Sequence, residues 1–303
     1  MGGDVDSEVV AENLSALANP LRIRILLALA ETRQPSWEHR GMSYSDLRSA
    51  VDVEDGGRFN YHINELRDRF VRREEGQYWL TTAGSRVVDE IHARTFSGSH
   101  EAVSGPVEWT CPADEEQLNA TLEDGVITVA CPNHGVLFDM MLSFNSPQGR
   151  DPDELFAWAN RRALWYLESV SWDVCPHCAG RFGEATIATH SPEPNDRLET
   201  LRWDASTMVM AGMRCRRCGV SFRIPAFHYA LTRPPTIAFL HDHGIDYRTL
   251  ELEYGSTSWD CESEPLEDGV LVRFVIDDER LEIELDGALE TRTYRRTSLL
   301  EEH

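Results

Sequence analysis

Two Cys-x-x-Cys pairs, Cys175-Pro176-His177-Cys178 and Cys215-Arg216-Arg217-Cys218, constrain this chain more than any other feature. Each pair sets two thiols three residues apart, with a glycine (Gly180 or Gly219) just beyond, where backbone N–H groups can turn towards sulfur. Four thiolates satisfy tetrahedral zinc with no open position, the closed coordination of a structural site. A segment of 36 residues separates the pairs, so the fold has to bring two knuckles from different hairpins together. Zinc is therefore the expected cofactor, held by Cys175, Cys178, Cys215 and Cys218. A redox reading of one pair as a thioredoxin-like motif lacks the βαβ context it needs.

A second group repeats the spacing with other donors: Cys111-Pro112-Ala113-Asp114 and Cys131-Pro132-Asn133-His134, the latter preceded by a strand-like stretch at 126–129. Two readings stay open. Cys111, Asp114, Cys131 and His134 hold zinc, or a ribbon has lost its metal and keeps Cys111 and Cys131 as small core residues. A zinc hydrolase or deaminase would need three ligands, a water and a general base. No His-Glu-x-x-His or deaminase-type His-x-Glu pairing supports that, so an enzyme is the remote alternative and none is expected. Cys261 stands alone and is expected to be buried. His241-Asp242-His243 is expected at a helix end with solvated imidazoles.

Composition narrows the class further. Hydrophobic residues make up 41% of the chain, enough for packed cores, so global disorder is not expected. The net charge is -23 and all 29 basic residues are Arg, with no Lys. An acidic, Lys-free surface resembles the proteins of extreme halophiles, archaeal ones among them. The acidity is uneven. Residues 1–95 hold 12 Arg against 16 Asp and Glu, a net of -4, while residues 96–303 hold 17 against 36, a net of -19. Acid is thus held back from the N-terminal third, as a segment meeting a polyanion requires. Residues 1–13 show no apolar signal region, and the longest aliphatic stretch, 25–30, falls far short of the roughly 18 residues of a membrane span. A cytoplasmic protein with no membrane partner is expected.

Periodicity places the elements of that third. Val10, Leu14 and Leu17 recur at helical spacing, and Asn19-Pro20 caps a second helix over 21–31 with two apolar faces. A loop with Pro35 and Gly41 leads to a short helix over 44–51 capped by Ser43. Asp55-Gly56-Gly57 is read as a turn before a helix over 59–70. There Phe59, Ile63, Leu66 and Phe70 share one face, and Asn60, Tyr61, Asn64 and Arg67 point the other way, with Arg58 at the entrance. Asn and Arg can make bidentate contacts to adenine and guanine edges. A hairpin over 71–80 follows, turning at Glu74-Glu75-Gly76 with Arg72 and Arg73 at its base, and Thr81 or Thr82 caps a last helix.

The run Leu17-Ala18-Asn19-Pro20-Leu21-Arg22-Ile23-Arg24-Ile25-Leu26 resembles the opening of arsenic-repressor-like (ArsR-like) winged-helix regulators. Phe59-Asn60-Tyr61-His62-Ile63-Asn64-Glu65-Leu66, then Phe70-Val71 and Tyr78-Trp79-Leu80-Thr81-x-x-Gly84, is similar to the haloarchaeal branch of that family. The likeness covers about residues 8–95. It implies a homodimer on double-stranded DNA, with the 59–70 helix in the major groove. Arg58, Asn60, Tyr61, Asn64 and Arg67, with Arg72 and Arg73 in the wing, are the expected contacts. Metal-sensing members carry a Cys-x-Cys in the first helix of the helix-turn-helix, and residues 44–51 hold none.

The resulting expectation is an α+β chain. It has a winged helix-turn-helix domain over 1–95, a linker over 96–106 and a zinc-ribbon-like α+β region over 107–303, read either as one domain or as two subdomains split near 150. In the last domain a helix is expected over 151–170, a broken one over 224–244 and a hairpin over 270–285. Trp158, Trp165, Tyr166, Trp172, Phe227, Tyr229 and Phe239 are expected in the core. The expected function is sequence-specific transcriptional regulation, with the C-terminal part answering a small-molecule or protein effector. An adaptor of the transcription machinery, using the winged helix for protein contact, is the alternative.

Overall fold

The computed structural model describes residues 6–32, 41–96, 102–111, 114–189, 209–249 and 260–301. The expected loop at Pro35 and the Pro112-Ala113 pair lie outside them. The chain is α+β and divides near residue 100 into two compact units.

The N-terminal unit runs α1 (Ser7–Leu17), α2 (Pro20–Glu31), β1 (Met42–Ser43), α3 (Tyr44–Ala50), α4 (Gly56–Leu66), β2 (Val71–Glu74), β3 (Gln77–Leu80), α5 (Thr82–His92). Each helix opens on a side-chain cap. Asp6, Asn19, Ser43, Asp55 and Thr81 accept hydrogen bonds from backbone N–H groups of the first turn, each worth about 1 kcal/mol. The Asp55 cap shifts α4 from its expected span. It accepts from the N–H of Gly57 and Arg58, so the two glycines form the first helical turn instead of a separate bend. At the other end Arg67 turns extended (ψ 144°) and Asp68 takes φ 66°, so α4 stops at Leu66 and Phe70 enters the core from beyond it.

The unit closes around Leu21, Ile25, Leu26, Leu29, Leu47, Phe59, Ile63, Leu66, Val71 and Val88. Arg22 is buried among them. Its NH1 donates to the Ala16 carbonyl (3.1 Å), its Nε to His62 Nδ1 (3.3 Å), and its NH2 lies 3.5 Å from the Glu65 carboxylate. One guanidinium thereby ties the end of α1 and two turns of α4 to α2. The helical repeat Val10, Leu14, Leu17 is buried at one end alone: Val10 and Leu14 are exposed, and among the described residues α1 joins the core through Ala16 and Leu17 near its end. The sheet order is β1-β3-β2, and the β2–β3 hairpin turns through Glu75 and Gly76, both at positive φ (48° and 82°), as two-residue hairpin loops prefer.

The second unit opens with an antiparallel meander, β4 (Val103–Thr110), β5 (Gln117–Glu123), β6 (Val126–Cys131) and β7 (Gly135–Met141). β4 begins inside the stretch read from sequence as linker, so residues 103–106 are strand. α6 (Pro152–Ser171) follows, started by a reciprocal capping box between Asp151 and Glu154. Next come β8 (Thr186–Thr189), β9 (Val209–Arg214) and β10 (Ser221–Pro225) in the order β10-β9-β8, then α7 (Ala226–Leu231) and α8 (Pro234–Asp242). A second meander ends the unit: β11 (Asp260–Leu266), β12 (Gly269–Ile276), β13 (Glu279–Leu285) and β14 (Thr291–Ser298).

α6 joins two cores. Leu155, Phe156 and Ala159 pack with Val107, Leu118, Ile127 and Val129 of the first meander. Leu164, Leu167 and Val170 pack with Val209, Tyr229, Phe239 and the inward residues of β12 and β13. Those strands alternate as expected, with Val270, Val272, Phe274, Ile276, Leu281, Ile283 and Leu285 buried. Tyr166, Phe227, Tyr229 and Phe239 are core residues, but Trp158, Trp165 and Trp172, seven residues apart, are 37%, 48% and 75% exposed. A seven-residue repeat keeps them on one stripe of α6, turned from both cores.

Gly84 marks the tightest approach in the N-terminal unit: a Cβ there would stand 2.1 Å from the Phe70 carbonyl oxygen. Gly84→Ala is expected to destabilise the unit by about 1–3 kcal/mol, read as a lower denaturant midpoint by circular dichroism. An unchanged midpoint would show that α5 does not sit this close to Phe70.

Candidate functional site

Two clusters of metal-ligating groups lie in the second unit, each with its four donor atoms within 4.8 Å of one another. In the first, the N–H of Cys175 donates to the Gly180 carbonyl (2.8 Å), and its own carbonyl accepts from Ala179 (2.8 Å). The turn at Cys215 repeats this, with Cys215 N–H to the Val220 carbonyl (2.8 Å) and Gly219 N–H to the Cys215 carbonyl (3.1 Å). Phe182 pairs with Cys215 across the gap, and Gly183 N–H donates to the Arg214 carbonyl (2.8 Å), locking the knuckles together. The sulfurs of Cys175 and Cys218 are 3.7 Å apart, those of Cys178 and Cys215 3.5 Å. Tetrahedral zinc with Zn–S near 2.3 Å requires S···S of about 3.8 Å. The spacing fits.

The electrostatics of these thiols divide between them. Burial pushes Cys175 and Cys178 up, while the N–H groups of Cys218 and Arg217 aimed at the Cys215 sulfur pull that thiol down. A divalent cation among them lets all four carry negative charge. Arg217 was not anticipated as part of the site. Its N–H donates to Cys215 Sγ (3.4 Å) and its guanidinium to the Cys178 carbonyl (3.2 Å).

The second cluster sits where the first meander turns. Cys111 lies between β4 and β5, with its N–H on the Glu116 carbonyl (2.7 Å) and its carbonyl accepting from Glu115 (2.8 Å). Cys131 ends β6 and pairs with Gly135 at the start of β7. His134 Nδ1 stands 3.4 Å from Cys111 Sγ, 3.5 Å from Cys131 Sγ and 3.4 Å from Asp114 Oδ2. Cys131 Sγ is 3.8 Å from Asp114 Oδ1. Both thiols are buried. Asn133, missed in the sequence, donates Nδ2 to Asp114 Oδ2 (2.8 Å) and holds that carboxyl below its usual range. Its place between Cys131 and His134 was the available signal.

The other candidates have structural partners. His243 Nδ1 lies 2.9 Å from the Phe239 carbonyl oxygen and its Nε2 is 3.3 Å from Glu279, while Asp242 pairs with Arg296. Cys261 belongs to neither cluster; on the edge strand β11 it is half-buried and packs against the main core opposite Phe274.

In the N-terminal unit, Arg58, Asn60, Tyr61, Asn64 and Arg67 are all exposed, opposite the buried Phe59, Ile63 and Leu66. Arg67 caps the end of α4 instead of lying within it and is 3.7 Å from Asp68. On the hairpin, Arg72 pairs with Glu74 (2.5 Å) and lies 5.7 Å from the Trp79 ring; Arg73 lies 5.4 Å from the Tyr78 ring. Both guanidinium groups are on exposed strand residues.

These features define an α+β protein with a capped helix–hairpin unit and a second unit built round two metal-ligand clusters. The chain belongs to the family described as Domain of unknown function (DUF7351), whose model matches residues 108–291 and so spans both clusters. Residues 10–91 match a second family, described as Domain of unknown function (DUF7347). No curated protein and no solved structure matches the chain.

Gly180 leaves no room for a side chain: a Cβ would lie 2.8 Å from Arg217 Cβ and 3.1–3.2 Å from the sulfurs of Cys178 and Cys215. Gly180→Val is expected to spread the knuckles and lower the metal retained per purified chain, measured by elemental analysis. Wild-type metal content in that variant would contradict the packing described.

Proposed function

We propose that the protein is a sequence-specific, double-stranded-DNA-binding transcriptional regulator that works as a homodimer, with zinc in the four-cysteine cluster as a structural ion. The observation that carries this reading is the exposed stripe Arg58, Asn60, Tyr61, Asn64 on α4, continued by Arg67. Its side-chain types suit base edges and phosphates, and the apolar face of the same helix is fully used in the core. The β2–β3 hairpin follows α4 in sequence and presents Arg72 and Arg73 as a phosphate-gripping wing. The low acidity of residues 1–95, against the rest of a chain of net charge -23, lessens repulsion where a polyanion would approach. Exposed Val10 and Leu14 on α1 offer an apolar contact for a second copy.

The second unit is the effector part on this reading. A concavity of about 700 Å³ borders the four-cysteine turns, lined by Phe182, Gly183, Arg216, Tyr229 and Arg233 among others. That volume is in the range that takes small molecules.

Duplexes selected from a random pool supply the probe. Against the selected duplex, the Asn60→Ala, Asn64→Ala, Arg67→Ala triple variant is expected to lose on the order of 100-fold or more in affinity, with an unchanged circular dichroism spectrum. Undiminished binding by the variant would remove α4 as the reading helix. Equal wild-type affinity for selected and random duplexes would favour an adaptor that uses this unit for protein contact.

A further inference from the structure

The four turns that carry the two clusters share a backbone feature. In each, the residue four after the leading cysteine has positive φ: Glu115 62°, Gly135 75°, Ala179 54° and Gly219 77°. Positive φ is disfavoured for a residue with a Cβ, yet Glu115 adopts it just as Ala179 does in the four-cysteine cluster. The hydrogen bonds repeat as well. The Cys111 turn has the same pair of backbone bonds as those at Cys175 and Cys215. Asn133 N–H donates to Cys131 Sγ at 3.4 Å, as Arg217 N–H does to Cys215 Sγ at 3.4 Å. The residue three after the leading cysteine is the second donor every time: Asp114, His134, Cys178 and Cys218. The second cluster therefore exchanges ligands within a conserved turn geometry without losing any.

Its donor spacing passes a separate test. An ion with two Zn–S bonds near 2.3 Å and Zn–N and Zn–O bonds of about 2.0–2.1 Å requires S···N and S···O of about 3.5 Å and N···O of about 3.3 Å. The corresponding distances are 3.4 and 3.5 Å for sulfur to His134 and, measured to the one carboxylate oxygen Asp114 Oδ2, 3.9 Å from Cys131 and 3.4 Å from His134, so only the Cys131–Asp114 pair has to close, by about 0.4 Å. The carboxylate is already aimed by two donors, Asn133 Nδ2 at 2.8 Å and Glu116 N–H at 3.2 Å. Outer partners of this kind fix first-shell ligands in metal sites.

We infer that Cys111, Asp114, Cys131 and His134 hold a second divalent transition-metal ion of the zinc type, bound more weakly than the ion of the four-cysteine cluster. Two thiolates have given way to a carboxylate and an imidazole, and thiolates are the ligands that favour zinc over harder ions. The inference stands apart from the DNA-binding reading and does not depend on it.

Cobalt(II) titration of the reduced, chelator-stripped full-length chain tests it. The wild type should take two equivalents. The first should bring the thiolate-to-cobalt absorption of four sulfurs, and the second about half as much more, from two sulfurs. The Asp114→Ala, His134→Ala double variant should take only the first equivalent and keep its spectrum, which also shows that the variant is folded. A single equivalent in the wild type would overturn the inference. So would a second equivalent without thiolate absorption, or one that persists unchanged in the double variant.

Discussion

Four cysteine sulfurs lie within 4.8 Å of one another, and the larger core of the second unit runs into that convergence. Cys175 and Cys215 are both in the main core, beside Phe182 and Val209, so the cluster is continuous with the apolar packing. Through it the segment after α6 is fixed to the β9–β10 hairpin close to the turns, reinforcing the Phe182–Cys215 bridge and the β8–β9 pairing. Four thiolates at this spacing repel one another strongly in a partly desolvated setting, and a divalent ion reverses the sign of that interaction. Structural zinc contributes roughly 10–16 kcal/mol in small domains, against a net stability of about 5–15 kcal/mol for a whole domain. On those magnitudes the proposed ion decides whether the unit holds together.

The N-terminal unit solves a different problem, which is how to spend an apolar helix face on the core and keep the opposite face polar and open. Arg22 is central to it. Its buried guanidinium takes up the Ala16 carbonyl and His62, so α4 is held from its inner side while Asn60, Tyr61 and Asn64 stay outward. The proposed reading helix is thus fixed mainly from its inner side, with Tyr61 the one stripe residue that also meets Arg22, its ring 5.8 Å from the guanidinium. That allows the rest of the stripe to vary without loss of the fold.

Much of this was legible in the sequence, for physical reasons that differ by element. The knuckles follow from cysteine spacing, and the caps from Asn19, Ser43 and Thr81 preceding apolar periodicity. The β12–β13 hairpin follows from strict alternation. What escaped was either locally ambiguous or set by partners distant in the chain. α4 begins at Gly56 because the Asp55 carboxylate is free to cap it, and two adjacent glycines read equally well as a turn. β14 has no apolar alternation and is held by cross-strand charge pairs, Arg295 to Glu282 at 2.9 Å and Arg292 to Glu284 at 2.8 Å, visible only once the register is known. Trp158, Trp165 and Trp172 were placed inside on hydrophobicity, whereas α6 already spends its other faces on two cores. The donor role of Asp114 and His134 could be guessed from spacing. The turn conformation they share with the four-cysteine knuckles could not.

Anomalous diffraction at the zinc edge, from crystals of the protein purified under reducing conditions, addresses the central claim most directly. A strong peak equidistant from the sulfurs of Cys175, Cys178, Cys215 and Cys218, at about 2.3 Å from each, is the predicted result, whatever signal the second cluster gives. A disulfide within either pair, or four thiols around a position with no anomalous signal, would contradict a metal-closed unit.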